Sequence, residues 1–223
     1  MVCGFRKFGI DCVVGGSLAV MVYTLPQMTK DVDFNIDVSL NDPNAETILQ
    51  NVCAKSGWKF VRLIKMRSPS AVHTKVQDLF AVGLASIVVD GMRCDVFLND
   101  WEPTEYVHAH AQEVPFPSDP PSSLKLAPPE AIAFFKTVTL SGKSKRPEKD
   151  IDHVKQLLRL CPEFDRAWVR HQLVKYLGES TLSVQRFDSW LQEVDTEVSI
   201  CMHDVCIVVI DAQHAALLFI TGR

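Results

Sequence analysis

Asp31 and Asp33 stand two residues apart in the run Lys30–Val38, KDVDFNIDV, and no other spacing in the chain points as directly to chemistry. Val32, Phe34, Ile36 and Val38 alternate there with Asp31, Asp33, Asn35 and Asp37, which is the period of a half-buried strand. Both carboxylates of the pair therefore leave one face, while the apolar residues fix the other face in a core. Two carboxylates this close repel each other unless a cation sits between them. A third, Asp95, lies in another alternating run, Arg93–Leu98, and joins the pair if the two strands lie side by side. Three carboxylates on rigid strands can hold divalent cations about 3.5–4 Å apart, the arrangement used for in-line phosphoryl or nucleotidyl transfer. Oxygen ligands with phosphate partners favour Mg²⁺, or Mn²⁺ in its place.

Gly15-Gly16-Ser17 lies one predicted helix upstream of the pair. A glycine-rich turn opening a helix presents backbone N–H groups at the positive end of the helix dipole, a cradle for phosphate. Alone, an Asp-x-Asp reads as a solvated strand face and a Gly-Gly-Ser as a turn. Their order along one chain is the specific feature: strand, Gly-Gly-Ser, helix, Asp-x-Asp strand, then a third aspartate between apolar residues.

The elements that must position these residues are legible in outline. Asp11–Val14 reads as a strand, and Ser17–Leu25 as a helix with Ser17 near its N-cap and Pro26 ending it. Asp42–Ser56 reads as a helix with Asp42 as N-cap and Pro43 in its first turn. Trp58–Ile64 is a strand candidate. Ala85–Asp90 and Arg93–Leu98 are joined by Asp90-Gly91, a strong hairpin signal. Four prolines in Pro115–Pro121 predict a break with no regular element. Beyond it, Pro128–Leu140, Glu148–Leu160, Phe164–Leu177 and Val184–Val194 read as helices. Ile151, Val154, Leu157 and Leu158 fall on one face of the second. The domain expectation is thus an α/β part over residues 1–115, a helical part over 122–196, and an apolar tail over 197–223. That tail falls short of a membrane span and reads as a segment docked on the core.

Composition narrows the classes. The chain has 223 residues, 47% hydrophobic and 22% charged, an ordinary globular balance that excludes whole-chain disorder. A net charge of −4 gives no global basic field, so a nucleic-acid partner needs a local patch such as Lys143, Lys145, Arg146 and Lys149. Seven scattered cysteines without a CxxC pair suggest neither a zinc site nor a disulfide framework, and they read as small buried hydrophobes. With no signal-like N-terminus, these features point to the cytoplasm. His108 and His110, two apart on an expected strand, lack ligand-spaced companions, and His153 reads as a helix-surface residue. Trp101, Trp168 and Trp190 read as core or interface anchors.

The stretch VVGGSLAVMVYTLPQMTKDVDFNIDV, with the later Asp95, resembles the signature of the DNA polymerase β-like nucleotidyltransferase superfamily. Within it the chain looks most like the AbiEii-like and related bacterial nucleotidyltransferases. A second stretch, LKLAPPEAIAFFKTVTLSGKSKRPEKDIDHVKQLL, is similar to the helical segment of that group. The resemblance covers roughly Asp11–Leu160. It implies an α+β fold, a mixed β-sheet flanked by helices and followed by a C-terminal helical bundle. It also implies that Gly15, Gly16 and Ser17 meet the phosphates of an NTP, and that Asp31, Asp33 and Asp95 bind the metals. Asp95 further helps to activate the attacking group. Lys136 reaches the triphosphate, and Asp150 or Asp152 positions the nucleotide or acceptor; both aspartates also suit helix capping. Gln27 and Met28 stand where relatives often carry an arginine, and Lys30 is the basic residue just before the pair.

The implied activity is transfer of a nucleoside monophosphate with release of pyrophosphate. The leading expectation is the toxin of an AbiE-like toxin–antitoxin system acting on tRNA, with a cognate antitoxin as partner. Transfer to a small molecule such as an antibiotic, or to a protein, is the alternative. A non-catalytic nucleotide-binding module is a reading from another class, and three intact aspartates argue against it.

Overall fold

A computed structural model of the chain describes residues 2–26, 28–29, 31–64, 83–99, 101–116, 122–141 and 147–204. Its centre is a mixed sheet. Strands β1 (Cys12–Val14), β2 (Val32–Ser39), β3 (Lys59–Ile64), β4 (Leu84–Val89), β5 (Met92–Asn99), β6 (Gln112–Phe116) and β7 (Ser122–Leu126) pair in the order β3-β4-β5-β2-β1-β7-β6. The β2·β5 and β1·β7 pairs are parallel and the others antiparallel.

The alternation in β2 divides the molecule. Val32, Phe34, Ile36 and Val38 are buried with Cys12 and Val14 against α1 (Val2–Arg6) and α3 (Ala45–Ser56). Phe5 is fully buried in this layer, its ring 5.4 Å from that of Trp58. On the other face, Val13 packs with Ala19 and Val20 of α2 (Gly16–Tyr23) and Val107 of α4 (Glu102–Ala109). That second core continues into α5 (Pro129–Ser141), α6 (Pro147–Leu160), α7 (Arg166–Leu177) and α8 (Leu182–Asp204). Full burial of each Phe or Leu in these layers contributes about 1.5–3 kcal/mol before chain entropy is charged against it. Ion pairs such as Lys155–Glu193 and Arg159–Glu197 tie α6 to α8 at the surface, where they add little.

Several local expectations are corrected. Gly15, not Ser17, holds the N-cap of α2, and Asn44, not Asp42, that of α3. Asp42 instead accepts the Asn44 backbone N–H at 2.8 Å, closing a turn ahead of the helix. The proline-rich stretch does not exclude strands: β6 runs through Pro115 and Phe116. It ends the sheet order, and an edge strand tolerates a residue without an N–H. β7 then carries the chain back to pair with β1, so the sheet extends past the prolines. His108 lies in α4 and His110 caps its end, so the two do not share a strand face. The last expected helix extends to Asp204, into the apolar tail, whose remainder lies outside the described residues. Among the described residues, no helix is long and apolar enough to cross a membrane. Cys12, Cys53 and Cys94 are buried and unbridged, as expected of small hydrophobes, and Cys161 is free and partly buried.

Candidate active site

The parallel pairing of β2 and β5 sets Asp33 directly opposite Asp95. With the apolar positions of both strands turned into the α1/α3 layer, Asp31, Asp33 and Asn35 share the other face with Arg93, Asp95 and Phe97. The glycine turn packs onto this face from β1. The Gly15 N–H donates to the Asp33 carbonyl at 2.8 Å, and Gly16 takes a left-handed φ of +58°. A Cβ on Gly16 would lie 1.7 Å from Asp33 Oδ2, so only glycine lets the turn and the carboxylate meet. Ser17 follows in the first turn of α2, whose leading N–H groups have no partner within the helix.

Lys136 of α5 and Asp150 of α6 close the opposite wall. Lys136 Nζ donates to Asp150 Oδ1 at 2.9 Å, and both side chains are largely buried. Lys149 Nζ reaches across to the Met28 carbonyl at 3.2 Å. Between sheet and helices lies a cavity of about 560 Å³. Its lining includes Gly15, Gly16, Ser17, Asp31, Asp33, Asp95, Lys136 and Asp150, together with the apolar Phe97, Val107, Ile132 and Phe135.

The electrostatics of this floor are unbalanced. Burial, then the charge of Asp95, pushes the Asp33 carboxyl up to about 6; Lys136 opposes the shift and Asp31 and Asp150 reinforce it. Asp95 is engaged elsewhere. Its Oδ1 accepts from Ser86 Oγ at 2.9 Å, and the Arg93 guanidinium straddles both oxygens at 3.0 and 3.2 Å. Among the described residues no three His, Cys, Asp or Glu side chains gather closely enough to hold a metal ion as they stand.

No known protein-family profile matches the chain, and no curated protein sequence matches it. Several solved structures are similar in shape, among them the following three. A solution structure of the antibiotic-resistance factor ANT(2″)-Ia covers 91% of this chain and 92% of its own at 11% identity, with a TM-score of 0.46. A crystal structure of ANT(2″)-Ia in complex with adenylyl-2″-tobramycin covers 88% and 94% at 10% identity, with a TM-score of 0.44. Lincomycin-bound LnuA, a lincosamide antibiotic adenylyltransferase, covers 69% and 90% at 14% identity, with a TM-score of 0.42. At such identities the chemistry of the cavity must be read from its own residues.

Those residues form a donor set of a definite kind. Asp33 and Asp95 face each other on adjacent strands, Asp31 lies at the rim, and hard oxygen atoms alone are offered. A partly buried carboxylate whose strongest charged influence is another carboxylate fits a divalent cation. Mg²⁺ or Mn²⁺ therefore suits the set once Asp95 turns from Arg93. Of the other expected site residues, Asp152 does not line the cavity; it is exposed and accepts from Gln156 at 2.7 Å. Lys30 lies outside the described residues, as do Gln27, Lys143, Lys145 and Arg146.

Two lining residues, Arg93 and Asn35, were not expected as site residues. Their signal was present in the alternation, since each is two residues from an expected metal ligand on the same strand face. His153 is corrected as well. It is fully buried against the second core and not on a helix surface, and burial, then the Lys136 and Lys149 charges, holds its pKa down to about 4. Of the expected anchors, Trp190 is buried, Trp168 stacks on Tyr106 at 3.9 Å between centroids, and Trp101 packs on Phe134, Phe135 and Tyr176.

Proposed function

We propose that this chain is a metal-dependent nucleotidyltransferase that moves a nucleoside monophosphate from an NTP to a hydroxyl of a small acceptor, releasing pyrophosphate. One observation carries the reading: a single cavity gathers Asp31, Asp33 and Asp95, a glycine turn pressed against Asp33, and the Lys136–Asp150 pair. Asp31, Asp33 and Asp95 would hold Mg²⁺ or Mn²⁺, which when bound supplies charge neutralisation for in-line attack on the α-phosphorus. The first N–H groups of α2, with the Ser17 hydroxyl, bind phosphate oxygens at the positive end of that helix. Lys136 meets the departing pyrophosphate as a point charge. Asp150 holds the Lys136 ammonium in place, and Asp95 helps to activate the attacking hydroxyl. Sheet and helices thus supply opposite walls, and catalysis is mainly positioning and charge.

A small acceptor suits the cavity better than tRNA. Among the described residues, the lining carries four carboxylates (Asp31, Asp33, Asp95, Asp150) against three cationic groups (Arg93, Lys136, Lys149), in a cavity of about 560 Å³. That mixed charge suits a metal–triphosphate with a small acceptor more than an RNA backbone, which calls for a run of basic groups. Of the basic residues on which a tRNA reading draws, Lys149 lines the cavity, and Lys143, Lys145 and Arg146 lie outside the described residues. The test is incubation with each α-³²P-labelled NTP, Mg²⁺, total tRNA and a panel of hydroxyl-bearing small molecules. Label on a small molecule, lost in Asp33→Ala, supports the proposal. Label on RNA alone overturns the acceptor class, and label transfer unchanged in Asp33→Ala overturns the mechanism.

A further inference from the structure

Arg93 stands in the cavity in a position that the transfer reaction as described above does not use. Its guanidinium and the Asp95 carboxylate leave the same face of β5, two residues apart, and meet in a forked contact. The Arg93 side chain is 54% exposed and that of Asp95 20%, so the cation is the solvent-facing partner. Ser86, directly opposite Asp95 on β4, donates to the same Oδ1 and would remain if Arg93 left. Asp95 lies opposite Asp33 in the sheet, and of Asp31, Asp33 and Asp95 it is the one held by a guanidinium. A divalent cation and Arg93 thus compete for one carboxylate. Arg93 lines the same cavity as Gly16, Ser17 and Lys136.

We propose that Arg93 is an exchangeable counter-cation: it holds Asp95 before substrate arrives, yields that carboxylate to the divalent cation, and then pairs with the triphosphate. The planar fork that grips two carboxylate oxygens matches two phosphate oxygens equally well. Metal binding and nucleotide binding are coupled through this one side chain. Without nucleotide, the cation must displace Arg93 with no return; with nucleotide, the guanidinium regains an anionic partner. The inference rests on the nucleotidyltransferase reading, and its test separates the two.

The test titrates Mn²⁺ by electron paramagnetic resonance into wild type, Arg93→Met and Arg93→Lys. Nucleotide binding is then measured calorimetrically with ATP, GTP, CTP and UTP in turn, in Mg²⁺. Arg93→Met should bind Mn²⁺ alone about three- to tenfold more tightly than wild type, because its competitor is gone. It should bind the preferred NTP at least about tenfold more weakly, because a charge-assisted contact is lost. Arg93→Lys should fall between wild type and Arg93→Met in both measurements. A residue with a merely structural role cannot move the two affinities in opposite directions. Unchanged or weaker Mn²⁺ binding in Arg93→Met, or unchanged NTP affinity, overturns the proposal while leaving the transferase reading intact, provided wild type binds Mg²⁺ and NTP together. Wild type that binds no NTP with either metal overturns both.

Discussion

Substituting alanine for Gly16 tests the contact on which the cavity floor is built. Gly16 has φ +58°, and a Cβ added there meets Asp33 Oδ2 at 1.7 Å, Cγ at 2.6 Å and Cβ at 2.8 Å. The left-handed backbone alone costs an L-residue about 1–2 kcal/mol. The carboxylate must also retreat by roughly 1.5–2 Å to reach ordinary van der Waals contact. β2 cannot follow easily, because the Gly15 N–H is bonded to the Asp33 carbonyl at 2.8 Å. The expected total is about 2–4 kcal/mol of stability, or a melting temperature lower by about 5–15 °C for a chain of this size. Displacing a reacting group by about 1 Å costs on the order of 10²-fold in rate, so transfer should fall by at least that factor in protein that is still folded. The control is Gly57→Ala. Gly57, at the end of α3, also has positive φ (+70°), but an added Cβ there meets nothing within 4 Å. It should lose about 1 kcal/mol and no activity. The assay is label transfer at a temperature where circular dichroism shows all three proteins folded. Gly16→Ala with wild-type activity and stability would refute the claim that the turn seats Asp33.

Three further outcomes follow from the same geometry. Asp33→Asn should abolish transfer yet raise stability in chelator at pH 7–8 by on the order of 1–3 kcal/mol, read by chemical denaturation. The carboxyl, pushed up to about 6 from 3.8, costs the fold its charge once pH exceeds that range, and a stability loss in the variant would contradict this. Lys136→Met should lower transfer about 10²–10³-fold and lower stability by removing the ammonium that Asp150 accepts from at 2.9 Å, whereas Lys136→Arg should keep most of the stability and less of the activity. The His153 pKa is held down to about 4 against 6.5, so its contribution is complete above pH 6.5 and is lost as pH falls toward 4. Denaturation midpoints of wild type should therefore fall through that window by up to roughly 1.4 kcal/mol per pH unit more steeply than those of His153→Gln. Parallel slopes would count against a neutral buried imidazole.

The polar half of the site was legible because it obeys local periods. The Asp-x-Asp alternation put Asp31 and Asp33 on one face and Asp90-Gly91 marked the hairpin that places Asp95, whereas Lys136 and Asp150 were named only by the family resemblance and their contact is seen in the packed helices. What was not legible depends on partners far along the chain. β6 and β7 carry little strand signal amid prolines, and they form because β1 offers β7 a parallel edge. α4 lacks a strong apolar stripe, so His108 and His110 read as strand residues until Val107 is seen buried in the second core. α1 spans five residues, too few for a periodic signal. His153 shares an amphipathic helix with true surface residues, and only the packing of α6 on its neighbours shows it buried. Arg93 went unassigned for a similar reason: alternation gives its face, but only the paired sheet shows it gripping Asp95.

The most direct test of the central claim is product stoichiometry. Wild type and Asp33→Ala are each given the preferred NTP, Mg²⁺ and a pool of small hydroxyl acceptors, and pyrophosphate, orthophosphate and nucleotidylated product are counted together. The account predicts one pyrophosphate per nucleotidylated acceptor from wild type and neither product from folded Asp33→Ala. Orthophosphate in place of pyrophosphate, or equal yields from the two proteins, would contradict it.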